Sequence, residues 1–128
     1  MVLGTVGAMS VRWYSVVVDC RDIKAQAAWW ADVLGWKQVY ESEHEVVIVS
    51  QDEREPGLVF VPVAEGKTVK NRLHIDVAPQ LLDDQAAEVE RLIAMGATHA
   101  DVGQSADVSW VVLADPEGNE FCVLSPRD

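Results

Sequence analysis

Basic side chains are scarce in this chain: ten lysines and arginines stand against 21 carboxylates among 128 residues, for a net charge of −11. A surface of that sign repels phosphate backbones and anionic lipid, so neither nucleic acid nor a membrane surface is an expected partner. Long apolar runs are missing as well, and none approaches the roughly 18 residues of a membrane span. Cysteine is limited to Cys20 and Cys122, far apart and in no C-x-x-C pairing. That pattern indicates neither a zinc site nor a redox couple, and it predicts two free, buried thiols in a reducing cytoplasm. Met1 to Ser10 is small and apolar but has no basic start, so residues 1–10 read as a loose segment rather than a secretory signal, with Met9 as a second possible start. Hydrophobic residues, in contrast, make up 49% of the chain, enough at this length for one domain with a real core.

Most of the order in the pattern gathers around Asp115-Pro116-Glu117-Gly118, which sits between two β-rich runs within Ser109 to Ser125. Asp at the first corner, Pro second and Gly fourth is the chemistry of a type I turn, so a hairpin is predicted. Strand alternation then puts Glu120, Cys122 and Leu124 on one face and Phe121 and Val123 on the other. Earlier in the chain, Val11 to Cys20 reads as a strand with Trp13, Ser15, Val17 and Asp19 on one face. Asp22 caps a helix starting at Ile23 whose stripe is Ile23, Ala27, Trp30 and Leu34, and Gly35 ends it. Strands follow at Lys37 to Ser42, Glu45 to Gln51 and Leu58 to Val63. Polar Ala64 to Lys70 reads as a linker. Asn71 to Ala78 is a strand with Arg72, His74 and Asp76 on one face. A second helix, capped at Asp83 or Asp84, turns Ala86, Val89, Leu92 and Ile93 inward and stops at Gly96. Ala97 to Val102 and the hairpin complete the set. Each half therefore reads strand, helix, strand, strand, strand, with a period of about 60 residues that marks a duplicated half-domain.

Val18-Asp19-Cys20, Trp29 to Trp36, Leu73 to Val77, Leu92 to Ala97 and Trp110 to Leu124, in that order, resemble the vicinal oxygen chelate superfamily. That superfamily groups glyoxalase I, extradiol dioxygenases and the bleomycin- and fosfomycin-resistance proteins, and the nearest likeness is to small glyoxalase-like members. The resemblance covers nearly the whole chain from about Val11. It implies an α+β fold in which two βαβββ modules, 11–63 and 71–126, form a cup-shaped curved mixed sheet with helices outside, making residues 11–128 a single glyoxalase-like domain. It also implies a homodimer and, in metal-bearing members, a divalent ion held by two His and two Glu from the first and last strands of each module. On that pattern His74 stands at a ligand position, but Ser15 and Cys122 occupy two others, and Leu58 to Val63 contains no acidic, imidazole or amide side chain. A metal cofactor is therefore not expected, and if one is held, the set would be His74, Glu120 and Cys122.

The expected ligand-binding residues are Trp13, Ser15, His74, Asp76, Trp110, Glu120 and Cys122. His74 and Glu120 are the candidate catalytic pair, with an imidazole suited to proton transfer near neutral pH. Each has a plainer alternative: His74 and Glu120 within a salt-bridge cluster with Arg72 and Asp76, Cys122 as a small hydrophobe rather than a nucleophile, Trp13 and Trp110 as core. Trp29 and Trp30 belong to the helix–sheet core, and His44 and His99 carry no expected role. Three readings follow: a binder of a small organic ligand whose family metal site is largely lost; a metal-dependent or metal-free lyase or dioxygenase-type enzyme using His74, Glu120 and Cys122; and a dimeric association module.

Overall fold

The computed structural model describes residues 11–128, so the loose segment and second start proposed for residues 1–10 lie outside the described residues. The chain divides after Pro62 into two compact units. The first contains β1 (Ser15–Cys20), α1 (Ile23–Leu34), β2 (Lys37–Glu41), β3 (Val46–Val49) and β4 (Gly57–Pro62). The second contains β5 (Ile75–Val77), α2 (Gln85–Ala94), β6 (Thr98–His99), β7 (Val111–Ala114) and β8 (Glu120–Val123). Each unit is a βαβββ module with one four-stranded mixed sheet, ordered β1-β4-β3-β2 in the first and β5-β8-β7-β6 in the second. The same order twice, with the first and last strands of each module parallel, is the structural form of the duplication read from the 60-residue period.

In the first unit the Asp22 carboxylate accepts from the Ala25 N–H at 3.1 Å and starts α1. Gly35, at φ 66°, ends it in the left-handed conformation that side chains resist. Ile23, Ala27, Trp29 and Trp30 are buried, as are Val46, Ile48, Leu58 and Phe60 on the β3 and β4 strands that α1 touches. Trp29 and Trp30 meet edge to face at 5.1 Å, which places both tryptophans in the core as expected.

The second unit holds its hairpin as the turn chemistry predicts. Gly118 donates to the Asp115 carbonyl at 2.8 Å, and the buried Asp115 carboxylate accepts from the Glu117 and Asn119 N–H groups at 3.0 Å each. Asp115→Ala removes the one carboxylate oxygen, Oδ1, that accepts both of these bonds, at a residue that is itself only 4% exposed. We expect it to lower stability by about 1–2 kcal/mol, read as a shift in the urea midpoint at constant slope.

Several elements are shorter than their sequence patterns. The Val11 to Cys20 run becomes a strand only at Ser15, because its partner β4 begins at Gly57, opposite Ser15. The Asn71 to Ala78 run pairs only over Ile75–Val77, since Asn71 hydrogen-bonds the Glu120 side chain and carbonyl instead of extending the ladder. The Ala97 to Val102 run is a strand only at Thr98–His99. Beyond it, the Asp101 carboxylate accepts from Gly103 N–H and the Gln104 side chain accepts from Val102 N–H, at 2.8 Å each, and these local bonds replace a ladder. On α2, Leu92 is buried, Val89 and Ile93 are half-buried, and Ala86, expected inside, is exposed. Gln85 instead ties the helix to the sheet by donating to the Val123 carbonyl at 3.0 Å.

Candidate functional site

The second sheet has two chemically different faces. Phe121 and Val123 on β8, with Leu113 on β7, are at most 1% exposed. The alternate residues, Glu120, Cys122 and Leu124 with Trp110 and Val112 of the neighbouring run, line a cavity of about 440 Å³. This is the division of faces that strand parity predicts. Asp76 enters the same cavity because parallel pairing sets it directly beside Cys122, and Val112 flanks Cys122 on the other side.

His74 lies one residue before β5 and reaches the same region. Its Nε2 is 3.1 Å from Asp76 Oδ1, with both side chains about half exposed. Cys122 hydrogen-bonds the Asp76 side chain, and burial, followed by the nearby Asp76 carboxylate, pushes the thiol pKa up despite the opposing pull of Lys70. A thiol so placed is protonated at neutral pH and is a poor nucleophile. Donor atoms of His74, Asp76 and Cys122 all fall within 4.8 Å of one another, the one such group of three among the described residues.

Glu120, expected beside this group, faces the cavity but is engaged elsewhere. Its Oε2 lies 2.6 Å from Lys67 Nζ, and its Oε1 accepts from the Asn71 N–H at 3.0 Å. Partial burial alone would raise its pKa, but the Lys67 ammonium and the Asn71 N–H together hold the carboxyl below the usual range. The three donors that converge are thus His74, Asp76 and Cys122, with Asp76 in the place the sequence pattern gave to Glu120. With these three together, the structure supplies a possible metal-binding group, and an expectation of no cofactor has no support in it.

Of the seven residues expected to bind ligand, His74, Asp76, Trp110, Glu120 and Cys122 come together at one cavity of the second unit. Trp13 and Ser15 belong to the first unit, where Trp13 is 70% exposed. Sequence reasoning did not place Lys70 and Asn71, which read as the end of a linker and the start of a strand, at the site, nor Val102 to Gln104, which fall where the Ala97 to Val102 run gives way to a turn-rich connection at Gly103 to Asp107; all of these line the cavity. Gly103, at φ 88°, takes the left-handed conformation that the turn there requires. His44 is exposed in its turn, and His99 is exposed on β6; neither lines this cavity. Neither Cys20 nor Cys122 forms a disulfide, and both are buried. Among the described residues no helix is long and apolar enough to cross a membrane.

A family model described as Glyoxalase-like domain matches residues 15–124. Similar solved structures include a glyoxalase/bleomycin resistance protein/dioxygenase family enzyme from Burkholderia phytofirmans PsJN, at 24% identity, covering 88% of this chain and 97% of that one, with a TM-score of 0.63. The fosfomycin resistance protein FosX from Listeria monocytogenes, complexed with Mn(II) and sulfate, aligns at 13% identity over 93% of each chain with a TM-score of 0.71. The oxidase ChaP-H2 aligns at 20% identity over 93% of this chain and 96% of its own, with a TM-score of 0.65. At these identities the likeness is one of fold. No curated protein matches the chain in sequence.

Proposed function

The chain belongs to the glyoxalase-like domain family of the vicinal oxygen chelate superfamily, and from that premise we propose that it binds a small organic molecule in the second module's cavity. One observation carries this reading: a cavity of about 440 Å³ whose wall combines apolar side chains with a few polar groups. Trp110, Val112 and Leu124 supply the apolar side chains, and Lys70, His74 and Asp76 the polar groups. Small-molecule sites share that size and that mixture, with burial supplying affinity and a few polar groups setting orientation. A planar or partly apolar molecule with a hydrogen-bonding end fits best, because an indole face stacks on rings and covers hydrocarbon.

The four-donor metal set of the family does not fit this chain. Ser15 stands at one of its positions and Leu58 to Val63 offers no ligating side chain, so on this reading the scaffold is retained and that site is lost. A second reading, proton transfer on the bound molecule in a lyase-like reaction, is favoured by the His74–Asp76 contact at 3.1 Å. A carboxylate at that distance orients an imidazole as acid or base. Glu120 contributes to the cavity wall in this scheme and not to the proton transfer, since Lys67 and Asn71 occupy its oxygens.

Tryptophan fluorescence tests the binding reading on chelator-treated protein titrated with a panel of planar organic acids, amides and quinones. We expect saturable quenching with at least one compound class. Trp110→Ala should weaken that binding about tenfold or more, the value of losing one stacked aromatic wall. A panel without any saturable response, or an affinity unchanged in Trp110→Ala, would count against it.

A further inference from the structure

We infer that the His74 imidazole, the Asp76 carboxylate and the Cys122 sulfur form a three-ligand site for a borderline divalent transition metal of the zinc type, contained wholly within the second module. The inference does not rest on the organic-ligand reading. It rests on three different donor atoms, one nitrogen, one oxygen and one sulfur, lying within 4.8 Å of one another.

The fold holds two of the donors in place. Asp76 and Cys122 are register partners in the parallel β5–β8 ladder, so their side chains leave the sheet side by side. His74 precedes Asp76 by two residues and already touches it at 3.1 Å. Donors set on paired strands keep their spacing better than donors set on loops. Zinc bonds of about 2.0–2.3 Å place tetrahedral ligand atoms roughly 3.3–3.8 Å apart, so side-chain rotation of about an ångström closes the present arrangement onto an ion.

The donor set also selects the ion. Sulfur and imidazole favour zinc, cobalt or ferrous iron over magnesium and calcium, which prefer all-oxygen cages. Coordination replaces the Cys122 S–H by an S–metal bond, and the proton leaves to solvent. The resulting thiolate and the Asp76 carboxylate carry two negative charges against the two positive charges of the ion. Three protein ligands leave one position of a tetrahedron unfilled, the arrangement of reactive rather than structural zinc sites. All three residues line the cavity, so that position is accessible to whatever the cavity holds. This set shares His74 and Cys122 with the family's ligand positions, but it draws its third donor from β5 and nothing from the first module.

Cobalt(II) spectroscopy decides the matter on the full chain, stripped with chelator and free of any organic ligand. We expect one cobalt per chain, a thiolate-to-cobalt charge-transfer band in the near ultraviolet, intense visible bands of four-coordinate cobalt, and loss of all of them when zinc is added. Cys122→Ser should abolish the charge-transfer band. His74→Ala and Asp76→Asn should each weaken cobalt binding by more than about tenfold, since even outer-shell changes cost that much. His74 and Asp76 are half exposed, so these two variants report even if Cys122→Ser does not fold. A saturated complex without the charge-transfer band, a band that survives in Cys122→Ser, or affinities unchanged in both His74→Ala and Asp76→Asn would overturn the site. Because the fluorescence titration uses metal-free protein, failure of one proposal leaves the other separately measured.

Discussion

Phe121→Ala is expected to lower stability by about 3–5 kcal/mol, the usual cost of emptying a fully buried aromatic site. Phe121 is 1% exposed and stands between Leu113 of β7 and Ile75 of β5 in the ladder of the second sheet. Removing the ring strips apolar area from the sheet's core face and leaves a void that rigid paired strands cannot close. Phe121→Leu, which keeps most of the volume, should cost less than about 1.5 kcal/mol. Urea unfolding followed by circular dichroism reads both, provided the slope is unchanged so that midpoint shifts report stability. If Phe121→Ala and Phe121→Leu were equally mild, the division of β8 into a core face and a cavity face would be wrong.

The second large effect concerns Lys67. Lys67→Met should cost about 2–3 kcal/mol at neutral pH, because it leaves the Glu120 carboxylate with its desolvation and without its cation. Both side chains are largely covered, 20% exposed for Lys67 and 11% for Glu120, which separates this pair from surface ion pairs worth under about 1 kcal/mol. The pH dependence has a definite sign. Glu120 titrates lower in the folded state than its ordinary value, so it contributes stability above the unfolded pKa of about 4.3, and that contribution is lost as pH falls through the folded pKa. The gap between the parent and Lys67→Met should therefore be widest near neutrality and shrink in acid. Glu120→Gln in the Lys67→Met background should recover part of the loss, since it replaces an unpaired charge with a neutral amide. Equal gaps at neutral pH and at about pH 3 would contradict the assignment.

Lys67 also shows where sequence reading stops. Nothing local distinguishes Ala64 to Lys70 from an ordinary polar linker, and Lys67 meets Glu120 only because β8 ends up beside it in space. Short-range signals fared better. The Asp22 cap, the left-handed Gly35, the Asp115 turn and the alternation along β8 each follow from chemistry within a few residues, and each is present in the fold. The same alternation was enough to gather His74, Asp76, Trp110, Glu120 and Cys122 around one cavity. It was not enough to decide which carboxylate joins the histidine and the thiol. That choice depends on the parallel register of β5 against β8, which pairs Asp76 with Cys122 and carries Glu120 to Lys67 and Asn71. Strand lengths failed for a related reason. Val11 to Tyr14 and Asn71 to His74 have strand-like patterns, but a strand needs a partner, and β4 and β8 begin too late to supply one.

The account as a whole depends on the cavity face of the second sheet being where ligand is held. Backbone and indole N–H chemical shifts of isotope-labelled protein, followed while a compound from the fluorescence panel is titrated, test this most directly. The account predicts saturating shifts at the Trp110 indole and at Asp76, Gln104, Val112 and Cys122, with Phe121 and the α1 residues little changed. Shifts concentrated on the Phe121 face or on α1, with the Trp110 indole unmoved at saturation, would contradict it.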